Sequence, residues 1–277
     1  MEIKEIDKNI AIEFIKKHHY SKTMPRINKI FIGGFVNKIL MGVITFGYGV
    51  QPKHTIKKIF NSLDTLNYLE IGKLCLDDIM PRNSESNFIS LCFKYIKKIY
   101  PKIKVIFTWS DALLGKVGYV YQASNFYYVG YIWTERYFTK EGILIHPRSS
   151  KELCIENAKY LNKKKVFWLT DDYMKLKGLK KIKGKQFRYI YFLCSNKEKK
   201  LLLKESKLEI NKIYPKEKEL AWKEKVNGKW SLCNKPLFNL NLNAREVSRV
   251  IHSNSITKGL VQFQHLAPFS QSNIGDF

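Results

Sequence analysis

Between residues 6 and 17 apolar side chains return at helical spacing, at Ile6, Ile10, Phe14 and Ile15 with Ile12 beside them, and charges fill the gaps. That pattern predicts an amphipathic helix with Asp7 as its N-cap. It runs into the polar cluster His18-His19-Tyr20-Ser21-Lys22, closed off by Pro25. Two apolar runs, residues 30–36 and 39–47, flank Asn37-Lys38 and predict a tight hairpin. Residues 48–66 read as loop with a short helix near 57–63, residues 69–76 as a strand, and 77–84 as a loop. A strong helix follows over residues 85–100, where Phe88, Ile89, Leu91, Cys92, Phe93, Tyr95, Ile96 and Ile99 form a wide stripe, and Pro101 ends it.

The run Val105-Ile106-Phe107-Thr108-Trp109 reads as a buried strand that stops at Ser110-Asp111. Gly115 and Gly118 loosen the backbone, a short helix fits residues 119–124, and Asn125 can stop it in the left-handed position. Phe126 to Val129 starts the next strand. From residue 133 to 173 the pattern is less regular, with a charged turn at His146-Pro147-Arg148. Residues 175–185 read as a dense basic loop feeding an aromatic strand over 187–193, then a basic helix over 197–207. Tyr214-Pro215-Lys216 closes a main domain of residues 1–216, and residues 217–277 read as an extension whose end, beyond about Leu240 where lysines nearly vanish, reads as a flexible tail. The element order predicts an α/β (α+β) fold, a mixed central sheet with helices on both faces.

Composition sharpens this in one respect. Hydrophobic residues make up 45% of the 277 positions, enough for a core and too many for a disordered chain. Lys and Arg outnumber Asp and Glu 49 to 24, and the charge of +25 is spread along the chain. Such a field attracts polyanions, with nucleic acid the first candidate. A lysine-rich coding bias would leave the same count, so both readings stand. The five cysteines are scattered without a CxxC pair, which argues against a zinc ribbon or disulfide scaffold and for free thiols in a reducing cytosol. The acidic N-terminus does not read as a signal peptide, and no apolar run approaches ~18 residues, so neither secretion nor a membrane span is expected.

Strand, Ser-Asp switch, short helix with a tyrosine, Asn-Phe step and strand resemble the acceptor half of GNAT-type acyltransferases. The resemblance implies a coenzyme A donor such as acetyl-CoA. It also implies a phosphate cradle at residues 82–86, with Asn83, Ser84, Ser86 and Asn125 as cofactor-binding candidates. The usual Gly-rich loop is absent, and Ser84 as a plain helix N-cap explains the same residues equally well.

Six motifs in order, H-H-Y-S-K, G-V-I-T-F-G, L-E-I-G-K-L, P-R-N-S-E-S, the S-D-A to S-N-F stretch and F-R-Y-I-Y-F, together resemble the Mom family of phage DNA-modification proteins. That resemblance covers about residues 10–216. It implies conversion of the exocyclic amine of adenine in double-stranded DNA to a carbamoylmethyl derivative, shielding phage DNA from restriction in the bacterial cytoplasm. The family's functional positions fall on His19, Tyr20, Lys73, Asp111 and Tyr121, where Lys73 stands in place of an arginine and loses its bidentate fork.

Adenine must leave the helix stack before its amine can react. Asp111 is the candidate to bind or deprotonate that amine, Tyr20 and Tyr121 to stack or donate a proton, and His19 to shuttle one. Lys73 would hold an anion, and Lys180, Lys181, Lys183, Lys185 and Arg188 would grip the DNA backbone. No metal site is expected. A GNAT acetyltransferase acting on a protein or small amine, or a non-catalytic nucleic-acid-binding protein, stays open, as does a homodimer.

Overall fold

The computed structural model describes residues 1–21, 27–49, 51–145 and 147–239. In chain order the elements are β1 (Glu2–Glu5), α1 (Lys8–His18), β2 (Asn28–Val36), β3 (Ile39–Gly47), α2 (Pro52–Thr55), β4 (Tyr68–Leu76), α3 (Ser84–Ile99) and β5 (Val105–Ser110). They continue with α4 (Tyr119–Ala123), β6 (Tyr127–Thr139), α5 (Pro147–Tyr160), α6 (Asp171–Leu176), β7 (Leu179–Phe192), α7 (Asn196–Glu205), β8 (Trp222–Val226) and β9 (Lys229–Cys233). The chain forms two compact units. The first holds residues 1–135, 182–224 and 230–237, and the second holds 136–181, 225–229 and 238–239.

The sheet runs β1-β2-β3-β4-β5-β7-β8-β9, with β6 also paired to β7. It is mixed: β4 and β5 are parallel, while β1 to β4 and β5 to β7 pair antiparallel. Helices cover both faces, as expected. The stripe of α3 (Phe88, Ile89, Cys92, Phe93, Ile96) packs on Ile30, Ile32, Ile44, Phe46, Ile71 and Ile106. On the other face Ala11, Phe14 and Ile15 of α1 meet Phe31, Val43 and Cys75. Asp7 caps α1 by accepting the Asn9 N–H at 2.6 Å. Asn37 (φ 50°) and Lys38 (φ 66°) make the two-residue turn of the β2–β3 hairpin, the left-handed pair that matches strand twist.

Several local expectations need correction. Residues 57–63 are not helical: α2 lies earlier, opened by Pro52 at its first turn, and Ile56, Ile59, Phe60 and Leu63 instead plug a second core cluster around Tyr68 and Phe107. The N-cap of α3 is Asn83, in the left-handed region at φ 70°, and Ser84 is its first helical residue. The basic stretch before residue 187 is the first half of β7 rather than a loop, because Leu179, Ile182 and Gly184 are buried among its lysines. The irregular middle holds the long strand β6 and the helices α5 and α6. The extension after residue 216 contains β8 and β9, joined by Asn227 (φ 48°) and Gly228 (φ 78°), a strong Asn-Gly hairpin signal overlooked among lysines. The tail expected beyond Leu240 lies outside the described residues, as does His146 of the expected charged turn.

Candidate functional site

β4 and β5 pair at only three positions, from Tyr68↔Val105 to Glu70↔Phe107. Beyond them β4 stays with β3, placing Lys73 opposite Thr45, and β5 stays with β7, placing Ser110 opposite Phe187. The two parallel strands therefore part into a V-shaped gap. Ile71 faces Phe46 while Lys73 faces Thr45, so a bulge at Gly72 turns two residues that would share a face onto opposite faces. A Cβ at position 72 would come 2.3 Å from Asn28 Oδ1, so a larger residue there would have to displace the Asn28 side chain. The outcome is a lysine on the α1 side of the sheet, next to Cys75, rather than in the α3 core.

Into this region the end of α1 delivers His19. Its extended backbone (φ −95°, ψ 134°) ends the helix and separates it from His18, which stacks on Phe14 at 4.4 Å and lies 3.7 Å from Asp77. His19 Nδ1 lies 2.9 Å from the Ser21 N–H and 3.0 Å from the Ser21 carbonyl, and that carbonyl also accepts the Lys73 ammonium at 2.9 Å. The neutral tautomer protonated on Nε2 lets Nδ1 accept the Ser21 N–H. Burial, and next the charge of Lys73, hold the His19 pKa down at about 4, so its imidazole is neutral at physiological pH. Burial lowers Lys73 to about 8 even though Cys75 and Asp111 pull it up.

Tyr20 stacks on His19 at 4.3 Å, and the Lys116 ammonium lies 5.6 Å from its ring centroid. The residue keeps 45% of its surface exposed; burial of the hydroxyl first, then Asp111 and Tyr121, raise its pKa. Asp111 follows β5 at the start of the 3-10 turn Ala112–Leu114, where its side chain makes no capping bond. Its backbone carbonyl accepts from Leu114 and Lys116. Tyr121 projects from α4 against Phe126 (5.3 Å) and Tyr189 (5.6 Å). Burial raises its pKa too, and a hydrogen bond with the Thr108 side chain opposes the rise. Both tyrosines thus stay protonated at physiological pH. The structure gathers His19, Tyr20, Lys73, Asp111 and Tyr121, spread over about a hundred residues of chain, around one gap.

On the α3 face of the same unit is a cavity of about 520 Å³. Ser86, Lys94 and Lys97 of α3 line it, with Asn125 after α4 and Phe192 of β7. Two of the four cofactor-binding candidates, Ser86 and Asn125, meet there. Asn83 and Ser84 do not line it; the Asn83 carbonyl instead accepts the Ser86 hydroxyl at 3.0 Å.

The DNA-binding candidates are divided. Lys183 and Lys185 share one face of β7, with Gly184 between them on the other, and Arg188 is of opposite parity to the two lysines. Arg188 turns toward β6, where its guanidinium lies 3.5 Å from the Tyr131 carbonyl and burial lowers its pKa. Lys180 and Lys181 belong to the second unit.

Sequence reasoning passed over Lys116, Thr108, Lys94 and Lys97. It also passed over Glu70, the acid in the apolar run Tyr68–Leu76, which burial raises to about 7. A carboxylate inside a strand was a legible signal; the lysines of α3 were not, among so many others. Among the described residues no three His, Cys, Asp or Glu side chains gather as metal ligands. None of their helices is long and apolar enough to cross a membrane.

Fold and cluster together define a mixed-sheet α/β protein whose polar groups collect where two parallel strands part. Comparison with known proteins narrows this. The model of the Mom protein family matches residues 1–216, and the chain belongs to that family. The methylcarbamoylase Mom of Escherichia phage Mu is 35% identical over 121 residues, 44% of this chain and 50% of the phage protein. The chain thus spans about half the length of the curated relative it matches. Among solved structures, an aminoglycoside 6′-acetyltransferase type Ii aligns at 11% identity and a TM-score of 0.37, covering 71% of this chain and 99% of that one. An N-acetyltransferase from Staphylococcus aureus Mu50 aligns at 14% and 0.37, over 69% and 97%. Superpositions this loose add nothing to the reading of the site.

Proposed function

We propose that this chain modifies adenine in double-stranded DNA, converting its N6 amine to a carbamoylmethyl derivative that shields phage DNA from restriction. The observation that carries the reading is the convergence of His19, Tyr20, Lys73, Asp111 and Tyr121 on the gap between β4 and β5, in a chain of the Mom family.

Each group has a task set by its surroundings. The adenine amine is a poor nucleophile because its lone pair is delocalised into the ring. A carboxylate that accepts its proton restores electron density at the nitrogen, and Asp111 is the carboxylate of the cluster. Tyr20 and Tyr121, held protonated by burial, donate hydrogen bonds to developing negative charge. Lys73 supplies positive charge to a carboxylate or phosphate, and neutral His19 offers Nε2–H. The charge of +25 draws the polyanion in, and Lys183 and Lys185 are the backbone-gripping residues of the site's own unit.

A coenzyme A-type donor fits the cavity chemically. Lys94 and Lys97 with Ser86 and Asn125 would hold its anionic part. Bound there, such a group would supply an activated acyl carbon, which alone yields an N-acetyl adenine; joining a carbamoylmethyl group to N6 through its methylene carbon takes a further donor.

Nucleoside mass spectrometry on DNA from cells expressing the chain tests the reading. A deoxyadenosine heavier by one carbamoylmethyl group is expected. An acetyl-sized gain would redirect the chemistry to plain acyl transfer, and unmodified DNA beside abundant folded protein would reject the reaction.

A further inference from the structure

The second unit carries a feature that stability does not explain. Helix α5 ends in a Schellman turn: Asn162 is left-handed at φ 52°, its N–H bonds the Lys159 carbonyl (3.0 Å), and the Lys163 N–H bonds the Ala158 carbonyl (2.8 Å). The chain then presents Lys163-Lys164-Lys165-Val166-Phe167-Trp168. All three lysines are exposed, and Phe167 and Trp168 leave 73% and 59% of their surfaces in solvent. The Lys165 ammonium lies 4.6 Å from the Phe167 ring centroid.

The far end of the segment is clamped. Asn157, fully buried, donates its amide to the Trp168 carbonyl at 3.1 Å and accepts the Thr170 hydroxyl at 3.1 Å. The next residue, Leu169, is 1% exposed, and its N–H bonds the Tyr137 hydroxyl at 3.1 Å. Six residues are thus held at both ends by satisfied hydrogen bonds while two adjacent aromatic rings are left outside. Two large rings on a firm base, preceded by three cations, match what a duplex demands of a protein that opens it. Rigid apolar side chains unstack a base step, and cations beside them take the phosphates.

We propose that residues 163–168 are a DNA-entering element: Lys163, Lys164 and Lys165 grip the phosphate backbone, and Phe167 and Trp168 insert between bases. The proposal rests on DNA being the substrate, and it supplies the distortion that access to a paired adenine requires.

The test uses the full chain, no donor, and a duplex oligonucleotide carrying 2-aminopurine, whose emission rises when it unstacks. The parent chain should raise that emission. A Phe167→Ala/Trp168→Ala variant should abolish the rise and weaken binding roughly tenfold, with the salt dependence and the circular-dichroism melt unchanged. A Lys163→Ala/Lys164→Ala/Lys165→Ala variant should instead flatten the log–log salt slope by about 3. An emission rise that survives loss of both rings overturns the proposal, as does no rise with the parent chain. So does a pair variant that binds the duplex normally but loses affinity for phosphatidylserine vesicles, since the rings would then serve a membrane surface. A parent chain that unstacks the probe yet leaves cellular DNA unmodified would uphold this element and reject the reaction proposed above.

Discussion

Lys73 shows how one backbone irregularity sets the chemistry of a side chain. The Gly72 bulge turns it into a crowded site, and burial brings its pKa to about 8. If its positive charge serves the reaction, DNA modification should fall as pH rises through about 8. Lys73→Arg should remove that alkaline limb, because a guanidinium stays charged; a limb that persists would assign it elsewhere. Asp111→Ala and Tyr121→Phe should each abolish modification while leaving the thermal melt and DNA affinity near the parent's. Full activity in both would remove them from the mechanism. Glu70 gives a stability test. Its carboxyl is raised from 4.5 to about 7, so the folded state favours the neutral form. That preference stabilises the fold below the ordinary carboxylate range and is lost as pH climbs from 4.5 to about 7. Glu70→Gln should therefore match the parent near pH 4 and exceed it by up to roughly 3 kcal/mol near pH 8 in denaturant titrations.

At the scale of elements, the loop from β5 to α4 aims two of the candidate side chains. Ser110 Oγ bonds the Lys116 carbonyl (2.6 Å), Tyr189 Oη bonds the Val117 carbonyl (2.5 Å), and Gln122 ties α4 to the Pro215 carbonyl (3.1 Å). Gly118 allows this closure: φ is +90°, and a Cβ there would come 2.8 Å from the Tyr189 ring and 3.0 Å from Ser110 Cβ. Gly118→Ala should cost about 1–3 kcal/mol of stability and lower modification further by displacing Tyr121, read by thermal melts alongside nucleoside analysis. Much of this element was legible. The Ser-Asp stop, both glycines and Asn125 (φ 60°) lie where local backbone rules put them. The β7 lysines misled for the opposite reason. A run so basic looks like loop, and only pairing with β5, β6 and β8 makes it a strand.

For the whole molecule, the charge of +25 sets the expectation that DNA affinity falls steeply with salt. Between 50 and 200 mM salt, duplex binding should weaken by about 10³-fold or more if six or more phosphates are engaged. A flat salt response would mean that the excess lysine is compositional bias. Coenzyme A should protect the cavity if it binds there: Lys94→Glu/Lys97→Glu should abolish a stabilising shift in melting temperature that the thiol cofactor gives the parent chain. No shift with the parent would count against this donor.

Local sequence determined helices α1, α3, α4 and α7, the β2–β3 hairpin, the strand-to-helix switch at Asp111 and the family motifs, because periodicity, capping and turn chemistry act within a few residues. It also marked His19, Tyr20, Lys73, Asp111 and Tyr121 one by one. Tertiary structure decided that they meet, since parting of β4 from β5 depends on which neighbour each strand keeps. It alone decided the neutral state of His19 and the lowered pKa of Lys73, which come from burial by distant segments. It likewise left Phe167 and Trp168 outside, because whether an aromatic side chain is core or surface depends on what packs against it, which no window of sequence contains.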